Sequence, residues 1–290
     1  MNPWDAEREI AGELARALIE QQFSQLAPAS VEPIGEGWDN QVFLVNDAWV
    51  FRFPRRAAAV PLLLDERLAL PAVAGKLPWP VPRLEFEGAA SERFPWPFNG
   101  YRFLPGRTAD RAALTDAQRA RLAAPLGRFL RALHSIAPPA GMPGDVIARL
   151  DAARLVPLIS DRLRRQGVTP PAWIHQSVRA PRGGTLLHGD LHARQLLLDG
   201  AARVTGVIDW GDSHVGDAAV DLSAAHSFLP AAAHGEFRAA YGDIDDDTWR
   251  LSRLRALHVT AALADWARDR GDVGLQREAR GGIDRIIQGA

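Results

Sequence analysis

The chain changes its hydrophobic period at Pro105-Gly106, and that change limits it to an α+β fold in two parts. Before it, "QVFLV" (41–45) and "WVFRF" (49–53) are short runs of β-branched and aromatic residues. Asn46-Asp47 between them is a hairpin signal, and Gly35 and Gly37 bracket a turn ahead of them, so three antiparallel strands are expected. Residues 3–26 read as a helix, with Ile10, Leu14, Leu18 and Ile19 near 3.6 spacing. A second helix is expected over 60–75. The prolines of "LPWPVPRL" then force an extended path into a strand near 83–87, and "FNGYRFLPGR" (98–107) reads as another.

Beyond Pro105-Gly106 the pattern turns helical. Residues 115–136 carry Leu122, Leu126, Phe129, Leu130 and Leu133 behind a Thr115 N-cap, and 145–166 follow as a helix. Pro170-Pro171 and Gly183-Gly184 bracket the entry to "TLL" and "LLL", short apolar strands, and "RVTGVID" is a third. Residues 216–229, 231–241 and 246–289 read as alanine-rich helices. The expected units are a β-rich lobe over 1–98, a hinge over 99–107 and a helical lobe over 108–290.

Composition removes several classes of function. A net charge of −1 over 290 residues gives no pull toward nucleic acid or a membrane surface. Without cysteine there are no disulfides and no thiolate zinc sites. No apolar run reaches the ~18–20 residues of a membrane span, and the acidic, amphipathic start is wrong for a signal peptide. A cytoplasmic protein, monomeric or weakly dimeric, is expected. Charge is uneven, with a net of +4 in residues 1–185 and −5 in 186–290. An acidic C-terminal part suits a cationic substrate, although a solvated acidic surface is the commoner meaning. Lys76 is the only lysine.

The chemistry concentrates in "LLHGDLHARQLLLDG" (186–200) and "VIDWGD" (207–212). Asp190 lies in a polar loop between two apolar strands, and Asp209 lies where a strand must turn. Two carboxylates brought together by such a return divide two tasks. One accepts a proton from a nucleophile, and the other holds a divalent cation through hard oxygen ligands. A third carboxamide or carboxylate in the intervening loop would complete the metal site. Phosphoryl transfer uses this division, because it needs positioning and charge neutralisation more than covalent chemistry.

"HGDLH" followed by "GVIDWGDSHVGDAAVDL" resembles the aminoglycoside and macrolide phosphotransferases, relatives of the protein kinases. "IGEGWDNQVFLV" resembles their nucleotide loop, "WVFRFPR" the third strand, "DERLAL" the helix that supplies a glutamate, and "NGYRFLPG" the hinge. The resemblance runs from about residue 31 to 270. It implies a two-lobed protein-kinase-like fold that uses ATP or GTP with Mg2+ to phosphorylate a small-molecule hydroxyl, cationic acceptors included. An antibiotic of the aminoglycoside or macrolide type is the implied acceptor. A metabolic kinase for an amino alcohol, sugar or amino acid is the alternative, as is a regulatory nucleotide-binding pseudokinase.

Residue by residue, the resemblance makes Asp190 the catalytic base or hydroxyl-orienting group and Asp209 the Mg2+ ligand. Glu66 pairs with the third-strand cation, Gly35 and Gly37 belong to the nucleotide loop, and the backbone near Tyr101 and Phe103 receives the base edge. Asp221 braces the catalytic loop. Two positions depart from the family pattern. Arg52 stands where protein kinases carry lysine, and arginine contacts phosphate and carboxylate through a forked donor. Gln195 stands where a metal-binding asparagine is usual and macrolide-directed members have histidine.

Plainer roles are assigned elsewhere. His188-x-Asp190-x-His192 has the residue types of a zinc site but lacks a distal histidine set, so the histidines are expected to pack the loop. His134 ends a helix. Asp212 and Asp217 are expected as turn and N-cap residues, and "DIDDD" (243–247) as the charged start of a helix or, more sharply, a contact for a substrate amine. Trp38 and Asp39 either cover phosphates or close a turn, while Trp249 and Trp266 belong to the core.

Overall fold

A computed structural model describes residues 6–176 and 178–289. In chain order the elements are α1 (Gly12–Gln22), β1 (Val31–Glu36), β2 (Asn40–Val45), β3 (Trp49–Pro54), α2 (Ala59–Val73), β4 (Leu84–Gly88) and β5 (Phe98–Arg102). They continue with β6 (Arg107–Thr108), α3 (Asp116–Ala120), α4 (Ala123–His134), α5 (Ala152–Arg165), β7 (Thr185–Leu187), β8 (Leu196–Leu198), β9 (Val204–Val207) and β10 (His214–Gly216). The chain ends with α6 (Ala219–Phe228), α7 (His234–Tyr241), α8 (Asp246–Arg270) and α9 (Val273–Gln288).

The front half forms a five-stranded sheet of order β1-β2-β3-β5-β4, with every neighbouring pair antiparallel. Asn46 and Asp47 turn the β2–β3 hairpin at φ of 50° and 54°, the backbone that two-residue hairpins need. Strand alternation sorts the side chains. Phe43, Phe51, Phe53 and Phe98 are fully buried and share a core with Leu18 and Ile19 of α1. Val50, Arg52 and Tyr101, at the alternate positions, line a cleft on the opposite face.

Behind the sheet, α4, α6, α7, α8 and α9 pack against one another. Between these helices and the sheet, β7, β8, β9 and β10 carry the two chemical motifs. β10 pairs antiparallel with β7, setting His214 opposite Leu187, and so draws residues 208–213 alongside 188–190. That pairing creates the site.

Several boundaries differ from the sequence expectation. Residues 3–5 of the first expected helix lie outside the described residues. Residues 6–11 are not helical, because Glu7 and Arg8 donate their N–H groups to the Arg55 carbonyl at 2.9 and 3.0 Å. Thr115 does cap a helix, in a reciprocal capping box with Gln118, yet 115–136 divides into α3 and α4. The expected helix over 145–166 starts only at Ala152, where Asp151 accepts from Ala153 and Arg154. The long helix expected over 246–289 breaks at Gly271, which takes φ 66° and ends α8, and Asp272 caps α9 through the Leu275 N–H.

Candidate active site

One cleft of about 1100 Å³ lies between the sheet and the helices, lined by Arg52, Glu66, Asp190, Gln195, Asp209 and Asp212 among others. On the sheet side, Arg52 sits at the centre of a charged network. Its guanidinium donates to Glu66 Oε1 at 2.9 Å and to Asp209 Oδ1 at 2.5 Å, tying β3 to α2 and to the loop after β9. Glu66 is 2% exposed; it also accepts from the Tyr101 hydroxyl and from the Trp210 N–H. Burial works against the Arg52 charge, but Asp209 and Glu66 outweigh it and hold the guanidinium above its ordinary value. Burial and the Glu66 carboxylate push the Tyr101 hydroxyl far up, so it stays a donor. The Tyr101 side chain thus braces Glu66.

Glu66 and Arg52 meet because α2 packs on β3, and a forked guanidinium reaches two carboxylates at once where an ammonium is a single point charge. Lys76 is exposed just beyond α2 and takes no part.

The loop bearing Asp190 is clamped from beneath. Asp221, at the start of α6, is fully buried and accepts from the His188 and Gly189 N–H groups at 2.8 Å each and from His134 Nε2 at 3.1 Å. Burial raises the Asp221 carboxyl, but the His134 and His188 side chains and these backbone donors bring it below the usual carboxylate range. His188 Nδ1 accepts from the Asp190 N–H, so Nε2 carries the proton and donates to the Ile208 carbonyl at 3.1 Å. This histidine locks the Asp190 loop to the Asp209 loop. Gly189 takes φ 89°, and a Cβ there would strike the Asp212 carbonyl oxygen, so glycine is required. Asp209 takes φ 68°, an uncommon conformation for a residue with a side chain.

Asp190 presents its carboxylate to the cleft with His192 Nε2 at 3.4 Å. Burial raises this carboxyl, and His192, Arg255 and His188 together bring it below its ordinary value. Asp209 follows the same rule, with Arg52 overcoming the cost of burial. Both are therefore ionised near neutrality.

Gln195 is 6% exposed, and its amide oxygen is buried with no hydrogen-bond partner among the described residues. Its backbone carbonyl accepts from the Ile208 N–H at 2.9 Å, which fixes it beside the strand leading to Asp209. A buried amide oxygen left unsatisfied costs about 1–3 kcal/mol, and a cation is the kind of partner that removes that cost. A divalent cation fits the carboxylate of Asp209 and the amide oxygen of Gln195, both hard oxygen donors. Among the described residues no group of three or more His, Asp or Glu side chains is placed to hold a metal. Phosphate and water oxygens would then supply the remaining ligands, as suits Mg2+.

The nucleotide-loop residues lie at the mouth of the cleft. Gly35 and Gly37 line it, and a Cβ on either would meet no close protein atom. Asp39 closes the turn through Arg56 at 2.7 Å. Trp38 packs toward Trp266 at 6.2 Å between ring centroids, and Glu36 pairs with Arg270 at 2.9 Å, so the loop leans on α8. Phe103 lines the cleft, but its own N–H is spent on the Ala48 carbonyl at 2.8 Å.

Among the plainer assignments, Asp217 accepts from the first-turn N–H of Ala219 and pairs with Arg179 at 2.6 Å. Asp245 caps α8, and residues 243–247 do not line this cleft. Trp249 packs on His226 at 4.0 Å. Asp212 lies in a turn, as expected, but it has a further place. It lines the cleft and pairs with Arg149 at 2.6 Å, and Arg149 also binds Asp145 at 2.9 Å. Sequence reading passed over Arg149, Arg162, Arg255 and His258, which lie in the same wall. The repeat of aspartate in "DWGD" was the one available signal for Asp212.

Burial and the nearby Asp190 raise the Asp212 carboxyl from 3.8 to about 6, although Arg149 pulls the other way. A raised value in the folded state means that this group's stabilisation is present below about pH 4 and is lost as pH rises through about 6. Asp212→Asn should therefore raise the melting temperature relative to the parent at pH 7, with the gain shrinking toward pH 4. Thermal melts across that range check it, and a pH-independent difference would contradict the assignment.

A profile of the phosphotransferase enzyme family (APH) matches residues 30–257. The GDP complex of wild-type aminoglycoside 2'-phosphotransferase-IIIa superposes with a TM-score of 0.69 at 24% identity, covering 96% of this chain and 99% of that one. Macrolide 2'-phosphotransferase type I is also similar, with a TM-score of 0.59 at 23% identity over 95% and 98% of the two chains. An uncharacterized protein of Bacillus subtilis (strain 168), YcbJ, is 40% identical over 50 residues, which are 17% of this chain and 16% of that protein. The chain thus spans only a small part of that curated relative. The family match covers the sheet, the clamped loops and the first part of α8, and the structural likeness extends over nearly the whole fold. This chain belongs to the phosphotransferase enzyme family and has its two-lobed, protein-kinase-like fold.

Proposed function

We propose that this protein transfers the γ-phosphate of ATP or GTP to a hydroxyl group of a small molecule. The observation that carries the proposal is the convergence of Asp190 and Asp209 on one cleft, from two loops that His188 and Asp221 hold in register. The GDP complex of a similar phosphotransferase supports a nucleotide in the cleft. The acceptors of the relatives, aminoglycosides and macrolides, make an antibiotic the first class of acceptor to consider. A cytoplasmic protein and the lobe division at 99–107 belong to the same proposal.

Asp190 receives the acceptor hydroxyl. A carboxylate held below its ordinary value is a weak base, so its work is to orient the hydroxyl and to take the proton late, as the new P–O bond completes. Arg52 reaches the phosphates from β3, with Glu66 and Tyr101 fixing its orientation. Asp209 and Gln195 offer their oxygens to Mg2+, which neutralises phosphate charge when bound. The missing side chains of Gly35 and Gly37 let phosphate oxygens approach the loop, while the Gly37 N–H itself is held by the Asn40 carbonyl at 2.9 Å.

Nucleotide consumption by the purified protein, measured against Mg2+ concentration, tests this reading. Consumption should require Mg2+, and Asp209→Asn should raise the Mg2+ needed by about tenfold or more, in line with the loss of a charged ligand. Nucleotide binding without any Mg2+-dependent consumption would point instead to a regulatory pseudokinase.

A further inference from the structure

The wall of the cleft beyond Asp190 is one face of α8. Arg255, His258, Val259, Ala262 and Leu263 recur at helical spacing and all line the cavity. Arg255 is 8% exposed, yet it makes no hydrogen bond or ion pair among the described residues. Burial pulls its guanidinium below the ordinary value, with Asp190 and Asp212 offsetting that only in part. A buried arginine without a partner is costly, because its desolvation goes unpaid by any contact.

The neighbouring groups do not relieve it. His258 is pushed down to about 3 by burial and by Arg255, Arg162 and Arg154, so its imidazole is neutral and Nδ1 accepts from Arg162 at 3.2 Å. Some carboxylates of this wall are already engaged. Asp145 and Asp212 flank Arg149, and Asp265 faces Arg162 and Arg165. Beside Arg149 and Arg255, Asp65 and Asp190 are lining carboxylates without an arginine ion pair among the described residues, too few for an acceptor rich in ammonium groups, which would also bring its charges against Arg255.

Given the kinase reading above, on which this inference rests, we infer that the acceptor carries a single carboxylate, which Arg255 binds while the acceptor hydroxyl lies on Asp190. Arg255 and Asp190 line the same cleft and form no ion pair with each other among the described residues, so the acceptor class implied is a hydroxy acid or hydroxy amino acid that spans the two. The forked donor of Arg255 matches the two oxygens of a carboxylate. In the transfer, the acceptor oxygen bonds to the γ-phosphorus, the bond to the β-phosphate oxygen breaks, and the hydroxyl proton passes to Asp190. The carboxylate is unchanged.

The test uses the full-length protein with Mg2+ and ATP or GTP. The panel contains hydroxy acids and hydroxy amino acids, each paired with its primary amide, together with kanamycin and phosphate monoesters of simple diols. Turnover is read for every compound, and binding to the Mg2+–nucleotide complex is read by ligand-observed NMR. At least one acid should bind or react about tenfold or more better than its amide, the value of a lost charge-assisted pair. That ratio should collapse toward one in Arg255→Met and be partly restored in Arg255→Lys. If Arg255 served only as a counter-charge for Asp190, acid and amide would suffer equally in Arg255→Met.

The inference is overturned if no acid outperforms its amide, if kanamycin or a phosphate monoester is the better ligand, or if the ratio survives Arg255→Met. The kinase reading has a separate readout. Mg2+-dependent nucleotide consumption that Asp190→Asn abolishes supports it whatever the acceptor, and its absence removes both.

Discussion

Asp190→Ala should lower kcat by about a hundredfold or more, the range of a lost general base, while leaving the KM for nucleotide and the folded structure close to the parent. The expectation follows from what Asp190 does not do. Among the described residues its carboxylate accepts no backbone N–H, and its one ion-pair contact is His192 at 3.4 Å. The loop that presents it is held by Asp221 and His188 through backbone groups, which the substitution leaves intact. Asp190→Asn should retain more of the orientation and none of the proton acceptance. Steady-state kinetics with circular dichroism as a control decides the matter, and a loss under about threefold would remove Asp190 from the chemistry.

Asp221→Ala should fail differently. Asp221 is fully buried, and removing it leaves the His188 and Gly189 N–H groups and His134 without their acceptor. Breaking a buried network of this kind costs about 3–5 kcal/mol, so denaturant unfolding should show a loss of that order and activity should fall with it. Asp221→Asn keeps one acceptor oxygen and should lie between. The carboxyl is held below its usual range, so its contribution is present above about pH 4 and is lost as pH falls through the lower folded-state value. The parent should therefore converge on the variants in acid. Equal stability of parent and Asp221→Ala at pH 7 would refute the clamp.

The two predictions separate the motif into a reacting group and its support. The same separation explains which residues were legible. That Asp190, Asp209 and Gln195 would share one cleft could be read because they lie in polar loops between apolar strands that return on one another. Arg52 could be read because alternation along "WVFRF" puts it opposite two buried phenylalanines. Tyr101 shows the limit of that reading. Its place beside the cleft follows from strand parity, but the partner of its hydroxyl, Glu66, lies 35 residues away and depends on how α2 packs.

Helix boundaries were the weaker part of the sequence reading. Periodicity runs on through Gly271, and only the left-handed backbone there with the Asp272 cap separates α8 from α9. The segment 145–150 carries residues that tolerate a helix, yet Asp145 binds the Arg149 N–H and side chain and holds a turn instead. Local competition of this kind has no period to detect.

By itself the sequence determined the two-part α+β architecture, the antiparallel front sheet and the pairing of two carboxylate loops, because hydrophobic period and turn residues act over short range. Only the tertiary structure decided how charge is distributed across the cleft. It tied Arg52 to both Glu66 and Asp209, paired Asp212 with Arg149 and, among the described residues, left the Gln195 amide oxygen and the buried Arg255 without a partner. An arginine on a helix looks the same in sequence whether it meets water, a carboxylate or an empty wall. The difference is one of desolvation and partners, and both are set by segments that meet only when the chain has folded.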